Sequence, residues 1–291
     1  KLIKVFEILR IPRTFFSVSL FLWIIEKQEN FKPINKANLV QQFLTFILEG
    51  LKLDNAKAGS YNFEKKIELL TELALKMHKK GEVGNNLSLS ETDAIKCFQD
   101  NFDLNQLKRL SASEKLNEFV EKGILKKEIH NNCIRFRYDA FFKFFLSLNI
   151  EKDAEFKAEV YSDEKFLSFI DELDYHTGRK RDDFDTLDFS MRKLQEAYLD
   201  IDKFINQNVD KYFPNESFIL KHINPTNFIT EKRNNKLSDD EIEEALGNQL
   251  EMLPVNDSIK AKKQIDYKKK FYHVLELAAR VLKNSENVKN P

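Results

Sequence analysis

The sequence predicts a mainly α-helical protein with one short β-hairpin, on the basis of three observations. Glycine, which tight turns and phosphate-binding loops require, accounts for only 7 of the 291 residues. Apolar residues recur three and four positions apart along most of the chain, as amphipathic helices require. Two short runs, 124–129 and 133–138, instead alternate apolar and charged residues on either side of a His-Asn-Asn turn, which indicates a hairpin.

The bulk composition excludes several classes of protein. The 47 basic and 47 acidic side chains cancel, which argues against a protein whose whole surface binds nucleic acid or membrane. Two cysteines are too few for a disulfide framework and fit a reducing cytoplasm. No apolar run reaches the roughly 20 residues that span a bilayer. Because the chain opens at Lys1 within an apolar pattern, we expect a piece of a longer cytoplasmic protein.

Residues 1–60 are predicted to form a helical domain. Pro12 lies near the start of a helix, where its missing N–H costs least. Asn35 is a candidate N-cap for the next helix. That second helix has four apolar residues at i, i+4, i+7 and i+8, which predict its buried face. These residues are Leu39, Phe43, Phe46 and Ile47.

Residues 61–150 are predicted to form a winged-helix domain. Helical spacing begins at Phe63, and Ser90 and Ser111 each precede an acidic residue by three positions, a pattern typical of helix N-termini. Three helices, a short extended piece among them, and then the hairpin give the winged-helix order. The helix that follows has four phenylalanines, which we interpret as core rather than as a base-stacking platform. They are Phe141, Phe142, Phe144 and Phe145.

Residues 151–291 are predicted to form an α-helical array, and no motif in them indicates whether they act as a sensor or a linker. Helical segments are expected at 156–173, 187–213 and 259–282, with a charged, solvated loop at 176–183. The unequal lengths of these helices give no fixed repeat period, so the sequence does not predict a solenoid of known type.

The sequence predicts neither a catalytic site nor a metal site. The phosphate-loop pattern G-x-x-x-x-G-K-[ST] is absent, and the closest stretch, GEVGNN, lacks the lysine. None of the five histidines stands four residues from another histidine or a cysteine, as a local zinc site requires. Cys97 falls on an apolar helix face and is predicted to be core rather than a nucleophile.

A winged-helix regulator that binds DNA, with a helical effector domain, is the alternative from another functional class. The predicted wing is basic, with Lys122, Lys126, Lys127, Arg135 and Arg137. The predicted recognition helix, SASEKLNEFVEKG, has three glutamates against two lysines, and phosphate repels such a helix. Nucleic acid is therefore not the expected partner, and a gel shift at two salt concentrations distinguishes the two hypotheses. A third alternative is an all-α scaffold with no nucleotide role.

Two stretches resemble a known family. Residues 11–50, IPRTFFSVSLFLWIIEKQENFKPINKANLVQQFLTFILEG, resemble the helical segment behind the nucleotide-binding core of STAND NTPases. These are NACHT-like signalling ATPases that include bacterial antiviral Avs-type proteins. Residues 134–148, IRFRYDAFFKFFLSL, resemble the end of that family's winged helix.

The resemblance implies a nucleotide-dependent switch. ATP or ADP would lie between an upstream NTPase domain absent from this chain, the helical segment and the winged helix. The family's base-contacting proline corresponds to Pro12, and its phosphate-contacting histidine aligns with Tyr138. A phenol donates one hydrogen bond but lacks the imidazolium charge. The resemblance also implies a sensor after residue 150 that binds a trigger, expected to be a phage protein, and self-oligomerisation on activation in phage defence.

Overall fold

A computed structural model describes residues 18, 19, 22–24, 26, 34–49, 61–84, 87–107, 109–128, 132–207 and 267–288. The described part is mainly helical, with one three-stranded antiparallel sheet. In chain order the elements are α1 (Lys36–Glu49), α2 (Phe63–Gly84), β1 (Leu89–Ser90), α3 (Glu91–Leu104), α4 (Ala112–Glu121), β2 (Leu125–Glu128), β3 (Cys133–Phe136), α5 (Asp139–Ser147), α6 (Asn149–Lys152), α7 (Ala154–Val160), a 3₁₀ helix (Phe166–Phe169), α8 (Ile170–Arg179), α9 (Phe184–Gln207) and α10 (Tyr267–Asn284).

The predicted hairpin is confirmed as β2 and β3, which pair antiparallel with Leu125 opposite Phe136 and Glu128 opposite Cys133. The short strand β1 pairs with the other edge of β3, so the sheet order is β1-β3-β2. Residue Asn132, in the turn between β2 and β3, has a φ of 47°, which asparagine adopts more readily than most residues.

The predicted helix starts after β1 and before α4 are confirmed by their caps. The Ser90 hydroxyl accepts a hydrogen bond from the Asp93 N–H at 3.1 Å, and the Ser111 hydroxyl accepts one from the Glu114 N–H at 3.3 Å. Each bond satisfies an N–H that the helix itself leaves without an acceptor. The chain leaves α4 through Gly123 at φ 73°, a left-handed conformation that glycine adopts without strain.

The phenylalanine block of α5 is core, as predicted. Phe141, Phe142, Phe144 and Phe145 are at most 5% exposed. The Phe145 ring stacks on Phe136 of β3, with 5.5 Å between ring centroids. Helix α5 also packs on α1, α2 and α8. The strand β3 is therefore followed directly by a helix at the centre of this core.

Helix α1 begins as predicted but buries a different face. The Asn35 side-chain oxygen accepts from the Asn38 N–H at 2.9 Å, which confirms the cap. Leu39 is buried, but the other three residues predicted for the buried face are only half-buried. The buried residues of α1 are Ala37, Leu39, Val40, Leu44 and Leu48.

The segment after residue 150 is more broken than predicted. Instead of one helix over 156–173, the chain forms α7, a 3₁₀ helix and the start of α8. The first half of the predicted charged loop at 176–183 is also helical, because α8 continues to Arg179 and buries His176, Thr177 and Gly178. The prediction failed here because Arg179 and Arg181 lie near carboxylates that are distant in sequence, Glu151 and Glu286.

The chain divides into two compact units. One contains Lys1–Ser190 together with Leu277–Pro291, and the other contains Met191–Glu276. The predicted division into 1–60, 61–150 and 151–291 stays a prediction. Of the helices among the described residues, none is long and apolar enough to cross a membrane.

Candidate functional site

Tyr138 lies at the turn between β3 and α5 and is the N-cap residue of α5. Its extended backbone (φ −126°, ψ 140°) ends the strand, and its side chain makes no capping hydrogen bond. The half-buried ring meets the edge of Phe141 at a centroid distance of 5.4 Å. The Arg137 guanidinium lies 5.9 Å from the centroid of the same ring.

This turn has the chemistry of a binding site rather than of a catalytic one. The Tyr138 phenol can donate one hydrogen bond, and the neighbouring Arg137 supplies a positive charge. The first turn of a helix also presents N–H groups and a positive partial charge, both of which favour an anion. Asp139 in that turn opposes an anion, but its carboxylate is paired with Lys143 at 2.7 Å.

Pro12, the other predicted nucleotide contact, lies outside the described residues. The helical stretch downstream of it is connected to Tyr138 by a row of aromatic rings. Trp23 meets the edge of Phe43 at 5.6 Å, Phe43 stacks on Phe141 at 5.9 Å, and Phe141 meets Tyr138. The row therefore joins the predicted helical domain to the turn that contains Tyr138.

A cluster of charged side chains lies behind this turn, and we call it the Asp171 cluster. Lys143 of α5 bridges Asp139 and Asp171, with its Nζ 2.6 Å from Asp171 Oδ2. The other Asp171 oxygen accepts from Arg280 of α10 at 2.7 Å, and Lys36 of α1 lies 4.0 Å from it. Three helices therefore contribute positive charges to one aspartate on a fourth, α8.

The pKa values in the Asp171 cluster reflect this arrangement. Burial opposes ionisation of Asp171, but Lys36, Lys143 and Arg280 outweigh burial and hold its pKa well below the usual range. Burial likewise disfavours the charged form of Lys143, but the surrounding carboxylates raise its pKa above the ordinary lysine value. Both groups are therefore ionised at neutral pH, and the pair holds α5 against α8.

Glu172 is the exceptional group of the cluster. It is 4% exposed, and its Oε2 atom has no hydrogen-bond partner. Burial raises its pKa to about 7, although the charge of nearby Lys143 acts in the opposite direction. This carboxyl group is therefore partly protonated at neutral pH, unlike an ordinary glutamate.

A second buried network involves His176, which the sequence placed in a solvated loop. His176 Nε2 lies 2.7 Å from Asp183 Oδ2, and the same carboxylate accepts from the Thr186 hydroxyl at 2.6 Å. Asp183 also accepts from the Thr186 N–H, so it caps the first turn of α9. Burial opposes ionisation of Asp183, but its hydrogen bonds with His176 and Thr186 lower its pKa.

Neither network resembles a metal centre or a nucleophilic site. Among the described residues, no group of three or more His, Cys, Asp or Glu side chains is arranged to hold a metal ion. Cys97 is 1% exposed, and burial raises the pKa of its thiol to about 11, so it is a core residue, as predicted.

Three of the five basic residues of the predicted wing are paired with neighbouring carboxylates. Its ion pairs are Lys127–Glu91 at 2.6 Å, Arg135–Glu128 at 2.8 Å and Lys122–Glu118 at 2.9 Å. The exposed residues of α4, the predicted recognition helix, are Ser113, Glu114, Asn117 and Glu121. None of these four is basic, so α4 presents no positive charge to a duplex.

Sequence reasoning singled out Tyr138, which stays a prediction, but missed the Asp171 cluster. Asp171 is 28 residues from Lys143 and 109 from Arg280, so no local pattern connects them. The only signal is that Lys143 interrupts the phenylalanine block, where a lysine in the core requires a carboxylate partner.

Comparison with known proteins gives one match. Residues 87–146 match the family model described as Novel STAND NTPase 4. The matched segment runs from β1 into α5 and includes Tyr138, but it covers less than half of the chain. No curated protein and no solved structure matches the chain.

Proposed function

We propose that this chain is a regulatory and sensor portion of a STAND-type signalling ATPase. In this proposal ATP or ADP is held by an upstream NTPase domain and is contacted from this chain by Pro12 and Tyr138. The nucleotide state decides whether the segment 61–150 stays docked on its neighbours. One observation is central to the proposal: the residues that match the STAND family model are those that position Tyr138.

The architecture of residues 61–150 supports a winged helix within this proposal. Helix α2, strand β1, helices α3 and α4 and the β2–β3 hairpin follow one another in winged-helix order. The central strand β3 ends at Phe136, and α5 begins at Asp139. A small displacement of this strand–helix turn would move the Tyr138 hydroxyl and the Arg137 charge together.

The remaining parts of the proposal concern biological context. The region after residue 150 serves as the sensor for a trigger, which we propose to be a phage protein. Trigger binding leads to self-oligomerisation in a cytoplasmic antiphage response. The helical character of α7 to α10 is compatible with a binding array of this kind.

Direct binding to DNA is not part of this proposal. Three of the five wing cations are paired with carboxylates, and the exposed face of α4 is acidic, which disfavours phosphate contacts. A gel shift with duplex DNA at 50 mM and 200 mM salt should show no tight, salt-sensitive complex. A complex whose affinity falls steeply between these concentrations would support the DNA-binding alternative.

The proposal is tested in the longer protein encoded by the gene. The coding sequence upstream of Lys1 should contain a phosphate-loop motif, G-x-x-x-x-G-K-[ST]. In that protein, Tyr138→Phe should weaken ADP binding roughly 10- to 150-fold, since one hydrogen bond to a charged phosphate is lost. Isothermal titration calorimetry measures the change, and Tyr198→Phe at an exposed tyrosine is the matched control.

Tyr138→His provides the complementary result. An imidazole restores a donor and can add positive charge, so ADP affinity should equal or exceed that of the unmodified protein. An upstream sequence without a phosphate loop would overturn the proposal, as would equal ADP affinity for Tyr138→Phe and the unmodified protein.

A further inference from the structure

The C-terminal part of α10 is fixed to α8 by polar contacts. The Asn284 side-chain amide donates to the Asp174 carbonyl at 3.1 Å, to the Asp174 carboxylate at 2.9 Å and to the Thr177 hydroxyl at 3.1 Å. Beyond the helix, the Asn287 N–H donates to the Arg181 carbonyl at 3.3 Å, and Glu286 pairs with the Arg181 guanidinium. We call residues 280–287 the strap.

Within the strap, Arg280 supplies a positive charge to the Asp171 cluster. The side chains of α5 and α8 alone have more carboxylates than cations in this cluster. The carboxyl groups of the cluster are Asp139, Asp171, Glu172 and Asp174, and its cations are Lys36, Lys143 and Arg280. The three ion-paired carboxylates, Asp139, Asp171 and Asp174, face three positive charges, and any ionised fraction of Glu172 adds negative charge. Without Arg280, the carboxylates of α5 and α8 outnumber the two lysines, and like charges on facing helices repel.

The cluster is connected directly to the turn that contains Tyr138. Lys143 contacts Asp171 on α8 with the same ammonium group that holds Asp139, the first residue of α5. Asp139 follows Tyr138 in sequence. A change in the Lys143–Asp171 pair therefore alters the Lys143–Asp139 pair, which lies at the N-terminus of α5. The geometry therefore connects the strap, α8 and the Tyr138 turn by charged contacts of less than 3 Å.

We propose that the strap is a releasable latch: Arg280 completes the Asp171 cluster, and its withdrawal loosens α8 from α5 and frees the N-terminal turn of α5. The latch operates within the compact unit that contains both segments. It does not depend on nucleotide contact at Tyr138, so its failure and the failure of the proposed function are distinguishable.

The experiment is hydrogen–deuterium exchange with mass spectrometry on the full 291-residue chain. Arg280→Met keeps an unbranched apolar stem and removes the guanidinium group with its charge. We expect exchange to rise in 138–143 and 170–177 as well as in the strap. The rise should be only roughly 5- to 10-fold, because the lost ion pairs are partly exposed to solvent. Exchange in β2 and β3 should not change. Lys270→Met, at an exposed lysine of the same helix, is the matched control.

Two outcomes would overturn the inference. If Arg280→Met accelerates exchange only in the strap, then Arg280 holds α10 on α8 but does not affect the packing of α8 on α5. If exchange is unchanged everywhere, then Arg280 does not hold the strap.

Charge-retaining and double variants separate a latch from general destabilisation. Arg280→Lys should recover most of the protection in 138–143, since the latch requires the charge more than the guanidinium shape. The effects of Arg280→Met and Lys143→Met on stability should be non-additive, because both cations bind the same aspartate. Additive effects, or a Lys variant no better than Met, would contradict the latch. If Arg280→Met does not fold, exchange in 138–143 is compared between Arg280→Lys and the unmodified chain in 50 mM and 500 mM salt. Exchange that does not change with salt in either chain would contradict the latch.

Discussion

Glu172 shows how a single buried side chain can make the fold sensitive to pH. Its pKa is about 7 in the folded protein, because burial penalises the carboxylate, whereas an exposed glutamate ionises near 4.5. Between these two values the folded protein binds more protons than the unfolded chain. This group therefore stabilises the fold less as the pH rises from 4.5 to 7, and its effect is constant above that range.

The variant Glu172→Gln tests this linkage. Glutamine does not ionise, so the free energy of unfolding of the variant relative to the unmodified chain should increase from pH 4.5 to pH 8. The increase should be on the order of 1–3 kcal/mol. Urea titrations at several pH values, followed by the fluorescence of the single tryptophan, measure it. Glu164→Gln, at an exposed glutamate, is the control and should show no such trend. A pH-independent difference for Glu172→Gln would contradict the raised pKa.

The residues that sequence alone could assign are those whose partners are local. Ser90 and Ser111 were predicted as caps because each hydroxyl needs only the N–H three residues later. Cys97 was predicted as core because helical spacing places it among apolar neighbours. Asp183 was wrongly predicted to be solvated. The many charged residues around it indicated a loop, whereas its main partner His176 lies in a buried part of α8.

At the scale of elements, Gly178 explains how α1 and α8 pack closely. A Cβ atom at this position would lie 2.8 Å from the Ala37 Cβ, which is closer than atoms can approach without a shift. The Gly178 carbonyl also accepts a hydrogen bond from the Asn35 side chain at 2.8 Å. Glycine is required here by the neighbouring helix and not by its own backbone conformation.

Gly178→Ala should therefore destabilise the protein, against the intrinsic preference of helices for alanine. Helix propensity alone would stabilise by about 1 kcal/mol, whereas overpacking costs about 1–3 kcal/mol. We expect a net loss in urea denaturation, and Ala37→Gly combined with Gly178→Ala should recover part of it, since the clash is removed. A variant more stable than the unmodified chain would show that α1 and α8 are farther apart than described.

The same contact explains why the buried face of α1 was predicted only in part. The helix has apolar side chains on several faces, so helical spacing allowed more than one stripe. Asn35 and Ala37 meet α8 at Gly178, and this contact, 143 residues away in sequence, selects the face that contains Ala37 and Val40. The hairpin, by contrast, was predictable because its two strands are adjacent in sequence.

At the scale of the whole molecule, the compact unit around Tyr138 is discontinuous in sequence. Residues up to Ser190 and from Leu277 onward belong to the same unit, although the residues between them do not. No sequence pattern indicated this arrangement, because the buried residues Leu277, Ala278 and Val281 resemble the core stripe of any amphipathic helix. The order of helices and hairpin over 61–150, by contrast, rests on consecutive elements and could be predicted without such contacts.

Shortening the chain after Gln207 tests this discontinuity. The shortened chain keeps α1 to α9 but loses Leu277 and Val281, which are fully buried, and the Arg280 and Asn284 contacts. Burial of two such apolar side chains contributes about 3–5 kcal/mol, so the urea midpoint of the Trp23 fluorescence transition should fall clearly. A chain shortened after Ser285 keeps these residues and should unfold near the midpoint of the full chain. Equal midpoints for all three chains would mean that α10 does not contribute to the unit that positions Tyr138.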